Sequence, residues 1–426
     1  MPFNSIFKLG SDFVDTHCAA SYKGLTSPAR FRGELTIESS GFLPWRTSGG
    51  GQEPPLRKSF FAHGFLISST STVATPIESV ISSTTQPRSS RQQFVATVAL
   101  NDTLCREHYR LVFALPQFPA TEPGQFIQVS CRDVGIDYSA DELLEWTPGS
   151  VPQFHDQEML APLAFLRRPF SLAGRRDTHD GVELEIIHRV VGVGTDWLSR
   201  LKPGDQVSLL GPLGNRFTLP AKDQTAILIG GGVGIPPMLY LAQKLRGHQA
   251  VAFCGATTKD LLALSIASDA DVNGITPTRC IHEFAQQSIP SIITTDDGSY
   301  GFRGFVTQAL EKWLDRLAGS RQQAAGSRDA GPISSLPAAR SPLPAIIYTC
   351  GPEPMMKRVA EIAITRGIPC QIAVERAMAC GMGTCQSCCI RVKKSDPAKP
   401  PLAGKDWCWR LACTDGPVFT AEELLW

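Results

Sequence analysis

The chain has 426 residues, enough for two to four domains, and 42% of them are hydrophobic against 19% charged, which excludes a wholly disordered protein. Lys and Arg (41) balance Asp and Glu (40), so nothing in the charge favours nucleic acid or an anionic membrane as a partner. Thirteen cysteines are too few for a disulfide scaffold and odd in number; five of them lie between Cys380 and Cys408, with Cys413 just beyond, a local pattern that suits ligation in a reducing cytoplasm.

No targeting segment is expected in residues 1–20, which lack a continuous apolar core. Residues 1–91 read as a disordered extension: 13 of the 24 residues from Ser68 to Arg91 are Ser or Thr, too polar to offset the entropy of ordering. From Phe94 the texture changes. FVATVAL (94–100), YRLVFAL (109–115), GQFIQVS (124–130), VELEIIHRVV (182–191) and DQVSLLGP (205–212) have strand length and alternation, which predicts an antiparallel β-barrel over 92–222 with an inserted loop at 132–160. After Asp223 strands alternate with helices: AILIGGG, then PPMLYLAQKL, QAVAFCGA (249–256), GFVTQALEKWLDRL (304–317), AIIYTCG (345–351) and MMKRVAEIAITRG (355–367). That order predicts a parallel α/β domain over 223–372, with a flexible insertion at 318–344. The uncharged run Thr225–Gln243 approaches the length of a membrane span, but four glycines and Pro236–Pro237 argue against one.

The tail, 373–426, is expected to form a small cluster domain. Cys380, Cys385 and Cys388 have the C-x4-C-x2-C spacing of a plant-type [2Fe–2S] site, which needs a fourth, distant thiolate. Gly381 and Gly383 allow the tight turn that aims backbone N–H groups at the sulfurs. Cys413 and Cys408 compete for the fourth place; Cys408, between Trp407 and Trp409, sits in what reads as a packed segment, which favours Cys413. Cys389 should point away from the site. A zinc site is the rival reading.

Two further groups of residues suit cofactors. Arg168-Pro169-Phe170-Ser171 offers a phosphate partner and a hydroxyl for a flavin ring, and Gly192-Val-Gly194-Thr195-Asp196 opens a helix whose free N–H groups suit a pyrophosphate. Gly211-Pro-Leu-Gly214-Asn-Arg-Phe217 reads as a third element of the same flavin site. Gly230, Gly231, Gly232 and Gly234, between a strand and a helix, let the backbone approach a dinucleotide. Cys350, Gly351 and Pro352 end a later strand where a parallel sheet places its crevice, with Cys350 a candidate wall against a nicotinamide.

In this order the motifs resemble the ferredoxin–NADP reductase superfamily, and with E-R-x-M-A-C-G-x-G-x-C-x-x-C and C-x-D-G-P-V-F in the tail the chain is similar over residues 92–426 to electron-transfer subunits of NAD-dependent dihydroorotate dehydrogenase. The resemblance implies FAD contacts at Arg168, Pro169, Phe170, Ser171, Ile187, His188, Arg189, Gly194 and Thr195. It further implies cluster ligands at Cys380, Cys385, Cys388 and Cys413; Ser171 and Cys350 are the candidate catalytic contacts. His188 departs from the Tyr often found there, and the gap from Cys388 to Cys413 is longer than usual. The implied activity passes electrons from dihydroorotate, oxidised at the FMN of a partner catalytic subunit, through [2Fe–2S] and FAD to NAD. The implied assembly is a cytoplasmic heterotetramer of two plus two that binds neither nucleic acid nor membrane. Lys259, with no Arg beside it, favours NAD over its 2′-phosphate. A diaphorase subunit of another iron–sulfur flavoprotein complex, such as a hydrogenase or sulfite reductase, is the alternative.

Overall fold

The computed structural model describes residues 92–135, 164–267, 274–326, 344–393 and 406–426, all within one unit, 83–426. The expected N-terminal extension, most of the 132–160 loop and most of the 318–344 insertion lie outside the described residues.

Seven antiparallel strands form the first sheet: β1 (Gln92–Cys105), β2 (His108–Leu115), β3 (Phe126–Val129), β4 (Arg168–Ser171), β5 (Gly174–Thr178), β6 (Gly181–Arg189) and β7 (Gln206–Leu213), in the order β4-β3-β7-β1-β2-β6-β5. The two-residue period of each strand turns Leu111, Phe113, Ile127, Leu184 and Leu209 into one buried core. The short helix α1 (Val193–Ser199) follows β6.

The second sheet contains β8 (Thr225–Gly231), β9 (Ala250–Ala256), β10 (Ser291–Thr295), β11 (Phe302–Arg303), β12 (Ala345–Cys350) and β13 (Cys370–Ala373), all parallel in the order β11-β10-β9-β8-β12-β13. Its central strands β8, β9 and β12 are buried along nearly their whole length because both faces are covered. Ile227, Ile229, Phe253 and Ile347 share one core with α4 (Val306–Gly326) and α5 (Glu353–Arg366); Leu228, Ala252 and Tyr348 share another with α2 (Ile235–Lys244), and α3 (His282–Ala285) adds Phe284 to it. Helix α4 runs to Gly326, past the expected end at Leu317, so the 318–344 insertion begins as helix rather than as flexible chain. Arg110 on β2 ties the two sheets, its guanidinium reaching Glu185 at 2.9 Å and Glu283 of α3 at 3.2 Å.

The tail forms a hairpin, β14 (Cys389–Lys393) with β15 (Trp407–Leu411), and then β16 (Val418–Thr420). β16 pairs antiparallel with β13 as the last strand of the parallel sheet, and Ile390, Ala412, Cys413 and Phe419 share the core of α4 and α5. The cluster segment is therefore continuous with the α/β core.

The motif at 211–217 works differently from the flavin element expected of it. Asn215 Nδ2 donates to the carbonyls of Asp415 (3.0 Å) and Val418 (2.8 Å), its Oδ1 accepts from Val418 N–H (2.8 Å), and its own N–H donates to the Gly416 carbonyl (2.6 Å). A Cβ at Gly214 would lie 2.5 Å from Pro417. Gly214-Asn215 and Asp415-Gly416-Pro417-Val418 are thus two halves of one clasp between the barrel and the last strand. Asn215→Ala removes three side-chain hydrogen bonds, a loss of roughly 3 kcal/mol in unfolding free energy. A chemical denaturation curve checks this, and a change below about 1 kcal/mol contradicts the clasp.

Candidate functional site: a cofactor cavity and a thiolate cluster

The parallel sheet reverses its order between β8 and β12, and the carboxyl ends of these two strands meet with Gly230 opposite Cys350. Such a switch point leaves a crevice for a ligand. A cavity of about 1000 Å³ lies there, walled on one side by β4 and β6 of the first sheet and on the other by the ends of β8, β9 and β12.

Most of the residues singled out from the sequence meet in this one space. Arg168, Pro169, Phe170 and Ser171, then Ile187, His188 and Arg189, then Thr195, Gly231, Gly232, Gly234, Cys350 and Pro352 all line it. Gly194, Gly230 and Gly351 stand behind the wall. Gly194 is a packing residue, since a Cβ there would sit 3.3 Å from Cys131 and Ala164. Gly234 is needed for close approach: a Cβ would lie 2.2 Å from the Cys350 carbonyl oxygen. Gly232 alone of the four faces open space, with φ 53°.

Several lining groups lack protein partners. The Arg168 guanidinium is held only by the Leu166 carbonyl (3.0 Å), with no carboxylate among the described residues, whereas Arg167 is anchored on Ser208 and Arg189 on Glu107. Both ring nitrogens of His188 are buried without hydrogen bonds, although the ring stacks on Tyr109 at 5.6 Å and meets Phe170 edge-on. Burial, reinforced by the neighbouring His108, lowers its pKa to about 4, so the ring is neutral at neutral pH. Thr195 accepts from the N–H groups of Val191 and Gly192 and closes the turn into α1.

Cys350 and Glu375 both line the cavity. Burial pushes the Cys350 thiol to about 12, with the Glu375 charge adding to the effect; the Glu375 side chain reaches solvent, yet the protein packed around its carboxyl raises its pKa. Glu375 was missed in the sequence, where it is only the first letter of the tail motif. The signal available was an acidic residue directly after a buried strand, β13, at the sheet's ligand-bearing end.

The wall continues through Arg376 and Ala377 toward the cysteines; three residues from Ala377 to Cys380 span at most about 11 Å. Gly381 (φ 68°) and Gly383 (φ 91°) turn the loop so that the N–H groups of Met382 and Cys385 both point at the Cys380 sulfur at 3.4 Å. The four candidate thiols are neighbours: Cys385 interacts with Cys380, and Cys413 with both Cys388 and Cys380. Hydrogen bonds from Ser387 lower the exposed Cys385 thiol to about 6; burial, with Cys388 beside it, raises Cys413 to about 12. Among the described residues no three His, Cys, Asp or Glu side chains close on a single metal ion. Four thiols, three of them in C-x4-C-x2-C spacing on one turn, are the donor set that a plant-type [2Fe–2S] core needs. Cys408 lies on β15 opposite Val392, beside the crossed rings of Trp407 and Trp409, and Cys389 is exposed at the start of β14, on the other side of the chain from buried Cys388.

Comparison with known proteins places these features together. Residues 375–425 match the iron–sulfur cluster binding domain of dihydroorotate dehydrogenase B. The dihydroorotate dehydrogenase B (NAD(+)) electron transfer subunit of Desulforamulus reducens is 30% identical over 306 residues, 71% of this chain and 87% of that protein. The corresponding subunit of Geobacillus kaustophilus is 32% identical over 308 residues, with the same coverage. That of Caldanaerobacter subterraneus is 27% identical across 79% of this chain and 99% of its own length. Among solved structures, an NADH-dependent reduced ferredoxin–NADP oxidoreductase shares the fold, with a TM-score of 0.50 and 24% identity over 78% of this chain and 90% of that one. From its clasped tail to its cavity, the chain belongs to the family of electron transfer subunits of dihydroorotate dehydrogenase B (NAD(+)).

Proposed function

We propose that this chain carries electrons for an NAD-dependent dihydroorotate dehydrogenase in pyrimidine (UMP) synthesis: from the FMN of a partner catalytic subunit, through a [2Fe–2S] centre on Cys380, Cys385, Cys388 and Cys413, to FAD, and on to NAD+. One observation carries the reading. A cavity large enough for a flavin and a nicotinamide is joined, within three residues of its wall, to a set of four neighbouring thiols. Bound there, FAD supplies the exchange between the paired electrons of NAD(H) and the single electrons of the cluster.

The chain's own residues supply placement. Arg168, with no carboxylate partner among the described residues, is a partner for a flavin phosphate, and the Ser171 hydroxyl is available to the isoalloxazine edge. Pro169, Phe170, Ile187 and the neutral His188 ring build the flavin wall; a bound flavin gives the orphaned His188 nitrogens a partner. Arg189, neutralised by Glu107, contributes its stem rather than a free charge. Gly231 and Gly232 let NAD approach the backbone, with Gly230 and Gly234 holding the chain close behind them, while Gly194 packs α1 against Cys131 and Ala164 on the flavin side. Cys350, Gly351 and Pro352 flank the nicotinamide, with the exposed Glu375 on the wall beside them.

Cys388 and Cys413 are buried, Cys380 is half-buried and Cys385 is exposed, so the cluster has one wet edge. That edge, with Met382 half exposed beside it, is the face for the catalytic subunit, in an assembly of two plus two. All twelve described cysteines are free, which suits a reducing cytoplasm, and among the described residues no helix is long and apolar enough to cross a membrane.

Three experiments test this. The chain purified alone under anaerobic conditions should contain iron and sulfide in equal amounts, transfer electrons from NADH to dyes and leave dihydroorotate unoxidised; orotate formation by the isolated chain contradicts the division of labour. Cys413→Ser should lower bound iron roughly tenfold or more while Cys408→Ser retains it, read by iron analysis, and the reverse order would move the fourth ligand to Cys408. Because burial holds the folded His188 below the unfolded value of 6.5, protonation favours the unfolded chain: its contribution is complete above pH 6.5 and is lost as pH falls toward about 4. Over that window the loss is about 3 kcal/mol. His188→Phe should flatten the pH dependence of unfolding there, and an unchanged slope would exclude this buried imidazole as its source.

A further inference from the structure

Gln128 is a buried polar residue that no step so far has used. It lies on β3 and is 0% exposed. Ile127 and Val129 on either side point into the barrel core, so Gln128 points the opposite way, on the same face as Phe126, toward the α/β core and the tail. In the antiparallel ladder Gln128 stands opposite Pro169, and Phe126 opposite Ser171; paired residues share a face, and both Pro169 and Ser171 line the cavity.

On its other side is the ligand loop. Gln128 Nε2 donates to the carbonyl of Ala379, the residue before Cys380, at 3.4 Å, and its Oε1 is buried with no hydrogen-bond partner. A Cβ on Gly381, the residue after Cys380, would lie 2.7 Å from that oxygen. The amide therefore touches both neighbours of the first cluster ligand. It is also one strand away from the flavin wall, and an unpartnered buried acceptor at such a contact calls for an explanation.

We propose that Gln128 is a positioning residue that holds the Cys380 loop against the flavin-bearing strands and, through its amide dipole beside that ligand, helps to set the potential of the cluster relative to the flavin. The inference rests on the function proposed above, since it needs a cluster on Cys380. Hydrogen bonds and dipoles around the sulfurs are among the main determinants of a cluster's potential, and partners that orient a ligand typically change metal retention 10- to 100-fold when removed, roughly speaking.

The test uses the full chain, purified anaerobically with its own cofactors, in three forms: parent, Gln128→Met, which keeps the length without the amide, and Gln128→Glu, which keeps the shape. The readouts are the EPR spectrum of the reduced cluster, its midpoint potential and the rate of iron loss to a chelator. Gln128→Met should alter the EPR spectrum and speed iron loss roughly tenfold. Gln128→Glu, by placing a carboxylate beside the ligand loop, should lower the potential. If Gln128→Met does not fold, Gln128→Glu decides alone. Parent-like spectra, potentials and iron loss in the folded variants overturn the inference, as does a fall in thermal stability alone, which marks a packing role only. A parent chain that binds no iron overturns the functional reading itself, and this inference with it.

Discussion

The structure depends on the return of the chain's last strand to the barrel. Asn215 grips residues 415–418 with its side chain and its backbone N–H, and β16 completes the parallel sheet beside β13. That return brings Cys413 to Cys388, some twenty-five residues after the other three cysteines have been set by their own loop. Without it the C-x4-C-x2-C turn would have three thiolates and no fourth. The same contact locks the tail to both sheets, which fixes the distance between the thiols and the cavity.

Electron transfer asks little chemistry of the protein and much geometry. The cavity wall and the ligand loop are built from adjacent stretches of chain. β4 and β6 face the ends of β8 and β12 across the crevice, and the strand that leaves the parallel sheet at Ala373 runs through Glu375 and Ala377 into Cys380. Gly234 shows how tight this arrangement is, because the α2 turn approaches the end of β12 so closely that no side chain fits between them. The rigid sheets set the positions, and the exposed edge at Cys385 leaves one way out toward a partner.

Local patterns carried much of this in the sequence. The cysteine spacing, R-P-F-S and the glycines before α2 each describe a turn or a strand end that a few neighbouring residues determine; the structure brings R-P-F-S and most of the glycines around one space, with the cysteine turn starting three residues beyond its wall. What could not be read was long-range. G-N-R-F looked like a cofactor loop because glycine and asparagine suit both a phosphate and a close backbone contact; its partner lies 200 residues away. β16 is three residues long and has no periodicity to detect. Gln128 owes its interest to burial and Glu375 to a place on the cavity wall, and both depend on the packing of separate segments. Helix α4 outlasts its apolar pattern, since propensity alone continues it through Ala, Gln and Arg to Gly326.

The central claim is that one polypeptide holds a two-electron and a one-electron carrier in contact. The most direct test is an anaerobic titration of the isolated chain with a strong reductant, followed in the visible spectrum and by EPR. The account predicts uptake of about three electrons per chain, two by the flavin and one by the cluster, with the cluster signal appearing on the same protein that bleaches in the flavin bands. Uptake of about two electrons, with a flavin change and no cluster signal in a chain that retains its iron, would contradict it.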